Sequence, residues 1–188
     1  YNTTASNNTA VGYQAGYSNT TGVLEAFGAY ALSSNTTGNY CKAFGESALR
    51  SNTTGNSNNA FGGSALRSNT TASDNSAFGE SALRSNTTGA SNTALGSQSL
   101  YSNTTASNNT AVGYQSLYTN TAGNNTAVGT QSLYLNTTGA SLAAHGVEAL
   151  YSNTTGSFNA AFGRQALYSN TTASNNTAVG YQAGYSKS

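Results

Sequence analysis

His145 is the single histidine of the sequence and Cys41 the single cysteine, and the acids number five: Glu25, Glu46, Asp74, Glu80 and Glu148. Nucleophilic catalysis needs a base oriented by a carboxylate, and Glu148, three residues beyond His145, is the one acid near it in sequence. One His, one Cys and scattered acids do not make a metal-ligand set. The chain is therefore read as no enzyme, with no catalytic, cofactor-binding or metal residue and no cofactor. The remaining chemistry is cationic. Arg50, Arg67 and Arg84 recur at a fixed spacing of 17. They make a candidate anion patch, for an anionic glycan or a phosphate.

These residues stand in an unusual composition. Val, Leu and Phe together number 25 in 188 residues, there is no Ile, Met, Trp or Pro, and the net charge is +1 with 6 % charged residues. So little apolar side chain signals disorder when net charge is high, and here it is not. Thr (28), Asn (26), Gly (21) and Tyr (13) take the place of the missing hydrophobes, and they build turns and hydrogen-bonded ladders. No run of 18 apolar residues offers a membrane span, and no basic cluster is large enough to hold nucleic acid by phosphate neutralisation. Membrane insertion and nucleic acid are excluded as partners. The absence of Met points to a processed chain or to a segment of something longer.

The elements that position these residues come from a repeat. An Ala, a larger residue and a Gly recur at 10–12, 26–28, 43–45, 60–62, 77–79, 94–96, 111–113, 127–129, 144–146, 161–163 and 178–180. The sequence is thus one repeat domain, 1–188, of eleven units. The middle residue is apolar in ten units and is His145 in the other, so His145 reads as a substituted core or edge residue. Three and four residues after the Gly comes a small residue then Leu, replaced by Gly16 and Gly184 in the first and last units. Tyr follows, or Arg in three consecutive units and Ser33 in the second, and then usually Asn-Thr-Thr with Gly or Ala. The two one-residue deletions read as following Gly22 and Gly123, which marks that segment as the adjustable loop.

A 17-residue unit rich in Gly, Asn, Thr and Tyr is too short and too poor in helix formers for a helical hairpin. Ala-Val-Gly and Ala-Leu-Tyr read as two brief extended segments, and Asn-Thr-Thr-Gly as a third strand or a turn. Asn-Gly and Asp-Gly never occur, which disfavours hairpins and favours coiling. The expected fold is an all-β solenoid or β-roll of about eleven 17-residue coils, stacked at about 4.8 Å into a rod of roughly 50 Å. Each residue then lies above its own copy. Asn19, Asn35, Asn52, Asn69, Asn86, Asn103, Asn120, Asn136, Asn153 and Asn170 are expected to form an amide ladder, and the Thr residues a hydroxyl ladder. Val or Phe plus Leu would make only a thin core, leaving ladder bonds or burial against other chains to hold the coil.

If Leu points inward along a strand, its neighbour points outward. Tyr101, Tyr118, Tyr134, Tyr151 and Tyr168, with Tyr17 and Tyr185, would form an aromatic stripe that serves as an interchain or ligand face. The alternative is that stacked Tyr shields the ladder edges. The same stacking sets the three Arg about 5 Å apart, at roughly 0.8 kcal/mol of repulsion each in water. A mixed-charge ladder with Glu46, Glu80 and Asp74 is the expected offset. Cys41 is either a tolerated small residue or a thiol open to interchain pairing. Fourteen Asn-x-Thr sequons are present, and at any one position a buried ladder and a glycan exclude each other.

The phrase Asn-Thr-Ala-Val-Gly, at 8–12, 109–113, 125–129 and 176–180, resembles the head repeats of trimeric autotransporter adhesins. Its longer form, Asn-Thr-Ala-Val-Gly-Tyr-Gln-Ser-Leu-Tyr followed by Asn-Thr, is similar to the tandem repeats of phage tail-fibre and related surface-fibre proteins, which often precede a self-cleaving chaperone domain. The resemblance covers essentially the whole chain, although the autotransporter repeat is shorter than 17 residues. It implies a homotrimeric, β-rich fibre segment, extracellular or on a virion surface, giving length, stiffness and attachment, with a cell-surface glycan as an expected partner. Residues 2–18 and 170–186 are identical, which points to an internal slice of a fibre or to an end-to-end joint marked by Gly16 and Gly184. Two other functions fit the repeat: a self-assembling extracellular filament, and an ice-binding solenoid. Because Thr20 and Thr21 are adjacent and would face opposite ways if extended, ice binding is expected to have one Thr row per face, not a paired array.

Overall fold

Thr and a β-branched or aromatic residue on either side of the Ala favour extended backbone, and the Gly that follows stops it. The computed structural model describes residues 6–186; residues 2–5 of the repeated terminal segment lie outside them. The eleven strands are β1 (Thr9–Val11), β2 (Leu24–Phe27), β3 (Cys41–Phe44), β4 (Asn59–Phe61), β5 (Ser76–Phe78), β6 (Thr93–Leu95), β7 (Thr110–Val112), β8 (Thr126–Val128), β9 (Ala143–His145), β10 (Ala160–Phe162) and β11 (Thr177–Val179). They form one sheet in chain order. Neighbours are parallel and in register, so that Ala94 lies between Ala77 and Ala111. The fold is an all-β solenoid in which each repeat makes one coil.

The other segments are not strands. Ala-Leu-Tyr is a turn, and Asn-Thr-Thr-Gly is a series of bends. In the coil of Gly96 the amides of Gly96 and Gln98 donate back to the carbonyls of Phe78 and Glu80, while Leu100 and Ser102 donate forward to Ser116 and Tyr118. The backbone reverses its hydrogen-bonding direction within four residues. It does so through left-handed conformations at Gln98 (φ 58°) and Leu100 (φ 50°). Every central copy repeats this, and Gly16 (φ 59°) and Gly184 (φ 60°) hold the same conformation at the Leu position. A left-handed non-glycine residue costs about 1–2 kcal/mol, which is offset here by burial of the Leu side chain.

A stability prediction follows from the conflict between burial and backbone at Leu100. Leu100→Ala should lose about 2–5 kcal/mol of stability. Leu100→Gly, ordinarily worse than Ala by up to about 1 kcal/mol, should be the more stable of the two by about that amount, because Gly relieves the left-handed residue. Denaturant melts of both variants check the order.

The core is Ala and Leu, with Asn. All nine Leu of the turns, from Leu32 to Leu167, are 0–1 % exposed, and the strand Ala from Ala26 to Ala161 are fully buried. The expectation that Val or Phe fills the core is overturned. Phe78 is 39 % exposed, Leu95 49 % and Phe162 41 %. Strand alternation explains the arrangement: inward Ala forces the adjacent large residue outward. An interior already holding a Leu and two Asn per coil has room for a methyl group and no more.

Candidate functional site

The Asn after each turn points into the coil. Its side-chain NH2 donates once to the carbonyl three residues on and once to the Oδ1 of the equivalent Asn in the preceding coil. Asn52 Nδ2, for example, lies 3.0 Å from the Gly55 carbonyl and 2.8 Å from Asn35 Oδ1. This column runs from Asn19 through Asn35, Asn52, Asn69 and Asn86 to Asn103. It resumes from Asn120 through Asn136 and Asn153 to Asn170. All ten are at most 2 % exposed, so their side chains are closed to glycosylation in the folded coil. Asn7, Asn108, Asn124 and Asn175 of the Asn-Asn-Thr sequons are exposed.

The break between Asn103 and Asn120 has a cause in the chain. Asn120 bonds the Ala122 carbonyl two residues on, and Thr121 Oγ1 donates to the Thr137 carbonyl as the first Thr of other coils does. The missing residue is therefore the second Thr, inside the adjustable segment and not after Gly123. Asn103 Oδ1, Asn109 Nδ2 and Ser116 Oγ, all next to this deletion, are buried without a partner.

A second Asn column was not anticipated. Asn58, Asn75, Asn92, Asn109 and Asn125 are buried, and each Oδ1 accepts the backbone N–H one coil on, as in Asn92 N to Asn75 Oδ1 at 3.0 Å. The signal was present: each stands two residues before the inward Ala and so shares its face. Leu24, Cys41 and Leu142 occupy the same column. Cys41 is therefore a buried free thiol, and interchain pairing is closed to it in the folded coil. Burial pushes its titration up, against hydrogen bonds that lower it, so it is a weak nucleophile.

The Thr segment lies at the surface, its first Thr half-buried in most coils and its second exposed. The first Thr spends its hydroxyl on a carbonyl of the next coil, as Thr53 Oγ1 does on Thr70 at 3.1 Å, and not on another hydroxyl. The second Thr is exposed in every coil from Thr21 to Thr172 that has one. Opposite-facing Thr rows are thus overturned, because the segment is bent and not extended. The outward array has a gap at Ala122.

The Tyr row forms a face-to-face stack. Tyr101, Tyr118, Tyr134, Tyr151, Tyr168 and Tyr185 stand 5.1–5.3 Å apart, tilted by 7–16°. Tyr101 to Tyr168 are half-buried. Their outward direction comes from a turn and not from strand alternation. The phenols of Tyr118 and Tyr168 are pushed up from the ordinary tyrosine range, first by loss of water and then by charged neighbours, Tyr101 for the one and Glu148 for the other. Gln side chains add a third amide ladder on the surface, as in Gln115 Nε2 to Gln98 Oε1 at 2.8 Å.

In the coils of Arg50, Arg67 and Arg84 the mixed-charge ladder does not form. Among the described residues the one ion pair is Lys42 with Glu25, at 2.8 Å. Arg50 lies over the Tyr30 ring at 4.9 Å, Arg84 lies over Tyr101 at 5.6 Å and donates to its hydroxyl, and Arg67 between them has no side-chain partner among the described residues.

The apolar residues beside the inward Ala form a row on the outer face of the sheet. Phe27, Phe44, Phe61 and Phe78 stack at 4.6–4.8 Å, Leu95, Val112 and Val128 continue the row, and His145 stacks on Phe162 at 5.0 Å. His145 is thus an edge residue. Its neighbour in sequence, Glu148, accepts from Gln165 at 2.7 Å, and no acid orients the imidazole. No group of His, Cys, Asp and Glu among the described residues could hold a metal ion, and no helix is long and apolar enough to cross a membrane.

These features define a repeat protein of the β-solenoid class whose candidate surfaces are rows rather than a pocket. No family model, curated protein or solved structure matches the chain.

Proposed function

We propose that this chain is a structural segment of an extracellular or virion-surface fibre, of the tail-fibre or adhesin type, in which the coils set length and stiffness and three copies pack side by side. The observation that carries the reading is the outer row of Phe, Leu and Val on a parallel sheet. Parallel sheets are ordinarily covered on both faces, and a row along the rod that is apolar in every coil but that of His145 is more than a soluble monomer exposes. Packing copies with their axes aligned would cover it without any change in the coil. Attachment to a cell-surface glycan, and end-to-end growth into a filament of this chain alone, are compatible with the same rod.

Absolute molar mass by light scattering over a dilution series tests the reading. The expected value lies near three times the 19.0 kDa of one chain, and Phe61→Ser with Leu95→Ser should shift it toward one chain while leaving the circular dichroism spectrum unchanged. A monomer at every concentration would overturn it. The outward Thr rows favour a second reading, an ice-binding face. Thermal hysteresis lost on replacing Thr54, Thr71 and Thr88 by Lys would support that one, and its absence from the folded protein would sink it.

A further inference from the structure

We propose that Arg50, Arg67 and Arg84 form a binding lane for a linear acidic polysaccharide, with one carboxylate or sulfate received by each guanidinium. The three side chains occupy the position that carries stacked Tyr in the coils after them. Substituting Arg there forgoes ring stacking and sets like charges one coil apart, a spacing measured by the neighbouring Phe44–Phe61 and Phe61–Phe78 rings at 4.6 and 4.8 Å. Among the described residues no ion pair neutralises the row. Glu46 and Glu80, one turn back in sequence, are exposed and form no ion pair with any Arg. The Glu80 carboxylate lies over Gly63 of the preceding coil instead.

The lane is also pre-positioned. Tyr30 supports Arg50 at one end and Tyr101 holds Arg84 at the other, so these two guanidinium groups lose less freedom on binding than free surface arginines would. Beside them run Ser51, Ser68 and Ser85, half-buried, whose amides are bonded to the next coil while their hydroxyls have no partner among the described residues. Fixed cations with a parallel row of open hydroxyls suit a polymer that alternates anionic groups with sugar hydroxyls.

A nucleic acid fits less well. Single strands bind by stacking bases on open aromatic faces, and here the faces of Tyr101 and its successors are covered, by Arg84 and by one another. Three cations in a chain of net charge +1 also give little phosphate neutralisation.

The test is isothermal titration of the full chain with polygalacturonate, dextran sulfate, neutral dextran and poly(dT). Binding of polygalacturonate or dextran sulfate, weakening as salt rises, is expected, the stronger of the two identifying carboxylate or sulfate; neutral dextran should not bind. The triple variant Arg50→Tyr, Arg67→Tyr, Arg84→Tyr copies the lane of the following coils, so its fold should persist while acidic-polymer affinity falls about tenfold or more. If that variant does not fold, Arg67→Gln alone should weaken binding about twofold to threefold. Absence of binding to both acidic polymers, unchanged affinity in the folded variants, or tighter binding of poly(dT) would overturn the proposal.

Discussion

Gly96→Ala should be among the most damaging single methyls that can be added to this protein. Gly96 lies at φ 139°, and a Cβ built there would stand 2.5 Å from the Gly113 carbonyl oxygen and 2.6 Å from its carbon. Neither atom yields easily, because both are backbone and the oxygen accepts the Ser116 N–H of the turn. The backbone conformation alone is worth about 1–3 kcal/mol and the overpacking a similar amount, so a loss of about 2–6 kcal/mol is expected. Two other glycines separate the terms. Gly180, at φ 127°, has only the Ala183 Cβ, at 3.9 Å, within reach, so Gly180→Ala should show the backbone term alone. Gly63 is not left-handed, and its Cβ would meet the mobile carboxylate of Glu80; Gly63→Ala should change stability by less than about 0.5 kcal/mol. Thermal melts giving the order Gly96, Gly180, Gly63 would confirm that stacking adds to the demand the turn itself makes for glycine. Equal losses at Gly96 and Gly180 would refute it.

That clash also shows why much of the fold is legible in the sequence and part is not. A solenoid places each residue on its own copy, so whatever recurs at every turn is constrained by itself. The recurrent Gly, the Asn column and the strand around Ala are all visible as recurrences. Recurrence does not say which way a side chain points. Ranking Phe above Ala by hydrophobicity puts Phe inside, and the coil does the reverse because its cross-section is already filled by Leu32 and its copies together with two Asn columns. The left-handed turns are hidden for a similar reason: Leu, Gln and Ser seldom adopt that conformation, so their sequence gives no warning. The warning lay in the exceptions. Gly16 and Gly184 at the Leu position, and Asn7, Asn108, Asn124 and Asn175 at the third left-handed site, are the residue types that tolerate positive φ.

For the candidate surfaces the limits differ. The Arg row and the Tyr row are read from spacing alone. Whether Glu46 and Glu80 reach the arginines depends on side-chain direction at a turn, which i to i+4 spacing predicts only for a helix. The same gap between spacing and direction turned the Thr-Thr pair from two opposite rows into one outward surface.

Asn69→Leu and Asn103→Leu are the same substitution in the same column, and their outcomes should differ several-fold. Removing the Asn69 amide leaves Asn52 Oδ1 without its donor and one N–H of Asn86 without its acceptor, while the Ala72 carbonyl keeps Asn58. Two buried polar groups are orphaned, each at about 1–3 kcal/mol, for a loss of about 2–6 kcal/mol. At Asn103 the column is already broken. Its Oδ1 has no partner, so the substitution orphans only Asn86 Oδ1, keeps the Ala106 carbonyl bonded to Asn92, and removes one unsatisfied atom of its own. Gain and loss nearly cancel, and a change of about 0–2 kcal/mol is expected. Hydrogen exchange of the amides in β4 to β8, measured for both variants, distinguishes the two sites. Comparable losses of protection would mean that the column acts through packing and that its amide bonds contribute little. Because coils are stabilised mainly by their neighbours, a large loss at Asn69 should spread to adjacent coils, whereas the junction beside Ala122 should already exchange fastest in the wild-type chain.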